Sequence, residues 1–217
     1  MTDLSLFDEH VRHWAFAACA DWACPPPDEQ WFEVLHAHLP VGLRTEVGRG
    51  IRAELIRTVD DHWFTVPGAA HGPFSWFRHE VDEQLIVPNW DAFVRAAEYT
   101  RVALLVDDTG LRVGFDDEGL DISVHADADD LRWYIEVEER FDQAYEMSRH
   151  LDRLGAAGIS ATRHGDGAVN IANRIVERRP DYFSLVGIGG RLDFSVAVHD
   201  AHHFDLIPDF VPVGSRP

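Results

Sequence analysis

Residues 102–139, VALLVDDTGLRVGFDDEGLDISVHADADDLRWYIEVEE, constrain the fold more than any other stretch of the chain. Apolar residues there recur with polar ones, and the two-residue period of a strand decides which face each side chain takes. DDTG, DDEG and ADADD interrupt the run where Asp and Gly favour turns. The pattern predicts four strands in an antiparallel meander. A helix over about 140–155 follows, with Phe141, Ala144, Tyr145, Ser148 and Leu151 near helical spacing. Around Gly189-Gly190, the segment FSLVGIGGRLDFSVAV predicts a hairpin, with Leu192, Phe194, Val196 and Val198 on one face.

The first part of the chain reads as helical. Leu4, Phe7, Val11, Trp14 and Ala18 mark a helix over 3–23, with Ser5 and Asp8 as a capping box. CPPP at 24–27 stops it, and Asp28 opens a second helix with Trp31, Val34, Leu35 and His38 on one side. A third is expected from about Thr45 to Asp60, weakened by Gly48 and Gly50. The aromatic-rich segment 62–88 fits a packed loop or a short strand pair. Asn89 then caps a fourth helix, WDAFVRAAEYT. The expected fold class is α+β: a helical N-terminal region, 1–86, followed by an α+β domain with a mainly antiparallel sheet, 87–217. The two may share one core.

With 46% hydrophobic residues the chain can fill a core. All 19 basic residues are Arg, and the absence of Lys excludes Schiff-base and P-loop lysine chemistry. A net charge of −19 disfavours a broad nucleic-acid footprint and favours docking onto a basic partner. Cys19 and Cys24 read as reduced thiols. The acidic start around Asp3, Asp8 and Glu9 does not resemble a signal peptide, and no apolar run suits a bilayer, so a cytoplasmic protein is expected.

Folding the third and fourth strands over ADADD aligns Val124 with Trp133 and Ile122 with Ile135. The same register sets Asp121 opposite Glu136, with Glu138 roughly 7 Å further along. Two charges at that separation repel by about 0.6 kcal/mol in water and about 2.4 kcal/mol at an effective dielectric of 20. A wet sheet face eased by Arg112 and Arg132 tolerates this. A covered face needs a cation, an arginine or a shared proton.

One arrangement has a family behind it. Glu98 in RAAEYT, Asp121 in LDISV, and Glu136 with Glu138 in YIEVEE follow the order helix acid, strand acid, strand acid pair, helix. Over roughly residues 89–155 this resembles the PD-(D/E)XK nuclease core. The resemblance implies that Asp121 and Glu136 hold Mg²⁺ or Mn²⁺, with Glu138 and Glu98 assisting phosphodiester hydrolysis. Glu138 stands where that family usually has Lys, and Leu120 where it has Pro.

Other signals are weaker. HDAHHFD offers His199, His202 and His203; Glu33 and His36 have a di-iron spacing without its second motif. Arg44, Arg49, Arg52 and Arg57 are diluted by Glu46 and Glu54. Two function classes remain. The first is a non-enzymatic acidic module, of the immunity-protein or chaperone kind, that needs no cofactor. Its warrant is the run 105–139, where twelve Asp and Glu face two Arg. Asp116, Asp117, Glu118, Asp127, Asp129 and Asp130 would meet a basic protein partner. The second is the Mg²⁺- or Mn²⁺-dependent nuclease, or an inactive derivative of one.

Overall fold

The computed structural model describes residues 1–117, 119–128, 130–159 and 167–209. They form two compact units, Met1–Leu104 and Leu105–Pro217, with 44% helix and 30% strand, an α+β protein. The boundary between the units falls near the end of the fourth helix, which runs past the expected Thr100 to Val106.

In the first unit, α1 (Asp3–Asp21) is capped by Thr2, whose hydroxyl accepts from Ser5 N at 3.1 Å, so the expected Ser5–Asp8 box is displaced by three residues. Both cysteines are free and buried at the end of this helix. Helix α2 (Glu29–His38) starts at Asp28, whose carboxylate accepts from Trp31 N. Its buried side is Phe32 and Leu35, while Val34 is exposed. Helix α3 spans Val41–Arg52, earlier than expected, and ends where Glu54 takes φ +56°.

The segment expected as loop or strand pair is core. Strands β1 (Arg57–Val59), β2 (Trp63–Thr65) and β3 (Phe74–Ser75) make a small antiparallel sheet; β4 (Phe77–Glu80) and β5 (Leu85–Pro88) pair separately. Trp76 is the centre: its ring lies 3.9 Å from Phe64, 4.6 Å from Trp14 and 4.8 Å from Phe93, all stacked and fully buried. Such stacking adds to the area term of four large aromatics. Helix α4 (Trp90–Val106) follows. The Asn89 side chain donates to the Ser75 carbonyl and accepts from Arg78, so it ties strands together instead of capping the helix. The stretch VALLV, expected as the first meander strand, is the last turn and a half of α4. DDTG therefore joins a helix to a strand. A short apolar run does not separate a buried helix from a strand.

The second unit is built on a six-stranded sheet in the order β11-β10-β9-β8-β7-β6. Strands β6 (Arg112–Asp117), β7 (Leu120–His125) and β8 (Leu131–Arg140) form a three-stranded meander. Helices α5 (Phe141–Ala157) and α6 (Gly167–Arg178) lead to β9 (Tyr182–Ile188), which lies parallel to β8, as a long crossover permits. The expected hairpin is β9 with β10 (Gly190–Val198), and β11 (Phe204–Pro208) extends the sheet. Helix α6 and strand β11 were not anticipated. One core joins Ala144 and Leu151 of α5, Ile171 and Ile175 of α6, and Tyr134, Phe183 and Phe194 of the sheet. No helix among the described residues is long and apolar enough to cross a membrane.

Candidate functional site

The register of β7 and β8 agrees with the alternation: Ile122 pairs with Ile135 and Val124 with Trp133, which puts Asp121 opposite Glu136 one position on. A bulge between Val124 and His125 then shifts the ladder. Leu131, expected beside Trp133, pairs with His125 and joins the same core as Tyr134.

The sheet face that carries the acids is not wet. Every residue of β7 is buried, and Asp121 is 7% exposed. Burial this deep requires compensation. The Asp121 carboxylate accepts from Val137 N at 2.8 Å. Glu136, half-buried, accepts a hydrogen bond from the Tyr134 hydroxyl. The positive charge comes from α6. Arg174 is hydrogen-bonded to Tyr134 and lies in the fields of Glu136 and Asp121; burial would lower its pKa, but these partners together raise it. Burial, then the Glu136 charge, holds the Tyr134 phenol protonated far above its ordinary range. The turn between β6 and β7 makes room: a Cβ on Gly119 would come within 2.5 Å of Arg174 Nη2, and Gly119 has φ +77°.

Arg112 and Arg132, the arginines expected to ease the carboxylates, are placed elsewhere. Arg112 pairs in register with His125 at the far end of β7. Arg132, displaced by the bulge, reaches Asp181 at 2.7 Å and Asp130 at 3.7 Å. The nuclease alternative would use the arginines of 174–179 to grip DNA; that Arg174 instead faces the carboxylates does not follow from the expected elements, which omit α6. The signal was present: Ala168, Val169, Ile171, Ala172, Ile175 and Val176 make a helical stripe, with Arg174 at its edge.

Glu98, on α4 in the first unit, is 6% exposed and binds Arg101 through both oxygens, at 2.6 and 3.0 Å. Glu138 is half-buried on β8. Among the described residues no group of three or more His, Cys, Asp and Glu side chains is placed to hold a metal ion. Asp121 and Glu136 offer two carboxylates on which a guanidinium already acts, and a divalent cation would have to compete with Arg174 for that place.

The proposed docking acids fall into two groups. Asp116 and Asp117, both half-buried, close β6 at one end of the sheet, where Asp116 takes φ +49°. Asp127 and Asp130, both exposed, form the turn at the opposite end, since successive meander turns alternate. Glu118 and Asp129 lie outside the described residues. Asp107 and Asp108, exposed just before β6, share the end of Asp127 and Asp130.

A second buried polar group lies on the other sheet face. Ser184 Oγ accepts from Trp133 Nε1 at 2.8 Å and from Arg191 at 2.9 Å, and donates to Asp193 at 2.5 Å. Arg191 also stacks over Trp133. With Ser184 saturated in this way, the group clamps β8, β9 and β10 together and leaves no free hydroxyl for nucleophilic work. The histidine cluster resolves into local pairs, His199 with Asp205 and His203 with Asp200. His36 faces Asp8, which also holds Arg44, while Arg49 meets Glu46 and Arg52 meets Asp3. Much of the arginine group at 44–57 is thus consumed within the unit. No family model matches the chain, and neither a curated protein nor a solved structure matches it.

Proposed function

We propose that the second unit is a non-enzymatic module that docks a basic protein partner, as immunity proteins and chaperone-like proteins do. The observation that supports this is the disposition of charge around β7. The buried carboxylates are matched internally by Arg174, whereas Asp107, Asp108, Asp127 and Asp130 gather exposed at one end of the sheet. A cluster of exposed like charges contributes little to folding and much to the rate at which an oppositely charged partner arrives. The geometry favours this over the PD-(D/E)XK alternative, in which Asp121 and Glu136 would carry Mg²⁺ or Mn²⁺.

Two measurements test it. Asp107→Lys, Asp108→Lys and Asp127→Lys combined should leave the melting temperature nearly unchanged. They should slow association with a partner recovered from the native host by about tenfold at low salt, and flatten the salt dependence of that association. Unaltered association, or association indifferent to salt, would refute docking at this end. Separately, Mg²⁺ or Mn²⁺ should leave the melting temperature of the wild type where it was. Stabilisation that Glu136→Ala abolishes would restore the nuclease alternative.

A further inference from the structure

His125 ends β7 on the same face as Asp121 and Ser123. It is 5% exposed, yet among the described residues neither Nδ1 nor Nε2 has a hydrogen-bond partner, and Ser123 Oγ, fully buried two residues earlier, has none either. An imidazole held this way is tolerable only as the neutral form, and even then at some cost. Its cross-strand neighbour on β6 is Arg112, and on β8, beyond the bulge, Leu131. Among the described residues the charges that act on it are Arg112, which opposes protonation, and Asp117 and Asp130, which favour it; burial is the largest influence and the net effect lowers its pKa.

The position of this residue gives it leverage. Strand β6 is the edge of the sheet, and its ladder bonds run to β7. The Arg112–His125 pair is the last rung of that ladder, next to a bulge where the β7–β8 pairing is already interrupted. We propose that His125 is an acid-operated latch: neutral, it lets β6 close on β7, and protonated, it frees the edge strand while the rest of the sheet stays formed. The sign follows from linkage. A histidine whose folded pKa lies below the unfolded value of about 6.5 contributes full stability above that pH, and the contribution falls as pH drops below it. One proton changes the closed-to-open ratio by at most about tenfold per pH unit.

Hydrogen exchange of the wild-type chain at pH 7.5 and 5.5, corrected for intrinsic rates, tests the latch. Protection of the β6–β7 amides, measured relative to those of β9–β10, should fall about tenfold at the lower pH. In His125→Leu the relative protection should be the same at both values. Equal relative protection in the wild type, or an undiminished loss in His125→Leu, would overturn the proposal. If that variant does not fold, the NMR titration of the wild-type His125 ring decides: a midpoint below that of a free histidine supports the latch, and one at or above it refutes it.

Discussion

Replacing Arg174 with Met destabilises the second unit by about 3 kcal/mol at neutral pH, the low end for breaking a buried ion group, because Arg174 is itself half-buried. Met keeps most of the side-chain stem against α6 and removes the charge. Asp121, 7% exposed, and Glu136, directly opposite it, then face each other without that guanidinium, while Asp121 still accepts from the Val137 amide and Glu136 from the Tyr134 hydroxyl. Their folded pKa values should rise above the unfolded ones. Such a shift costs stability at neutral pH, and the cost is relieved as pH falls through the raised folded values, so the variant should approach wild type in mild acid. Adding Glu136→Gln to Arg174→Met should restore at least half of the loss, since one buried carboxylate is then left and it still accepts from Val137 N. Chemical denaturation of the four proteins in the cycle measures the coupling. A stable Arg174→Met single variant would mean that water or another group, not this guanidinium, balances the pair.

The sequence made the problem visible but not its solution. Alternation and the apolar match across the β7–β8 hairpin were enough to place Asp121 against Glu136, because a one-residue slip would have put Ile122 and Val124 on the face opposite to Trp133 and Ile135. What alternation could not say was whether the acidic face meets water. That depends on α6, whose residues come some 35 positions later and whose packing is a long-range event. The bulge at Val124/His125 was hidden for a related reason: its effect, moving Leu131 to the Tyr134 face, reads locally as an unbroken strand. The aromatic segment 62–88 defeated periodicity because its strands are two to four residues long, too short for either period to register. Its rings identified it as core only once Trp14 and Phe93, distant in sequence, closed around Trp76.

Gly48→Ala tests the opposite kind of local inference. Helix propensity alone says that Ala in place of a mid-helix Gly stabilises by about 1 kcal/mol. The packing of α3 on α1 reverses the sign. A Cβ on Gly48 would stand 1.9 Å from the carbonyl oxygen of Asp3 and 2.6 Å from its carbonyl carbon. Those are backbone atoms, so no rotamer change relieves the clash, and α3 must move away from the start of α1. That movement would strain the Arg52–Asp3 ion pair, 2.5 Å long, and the Arg52 bond to the Met1 carbonyl. The expected outcome is a loss of about 3 kcal/mol, the upper range for overpacking. Gly42, in the first turn of the same helix, has nothing within 4 Å of its virtual Cβ, and Gly42→Ala should be neutral or stabilising by up to about 1 kcal/mol. Denaturation midpoints of the two variants separate the effects. If both gain stability, propensity governs α3 and the helices do not pack backbone to backbone. If Gly48→Ala alone loses it, the glycine that looks like a flaw in the helix is what allows α3 to lie against α1.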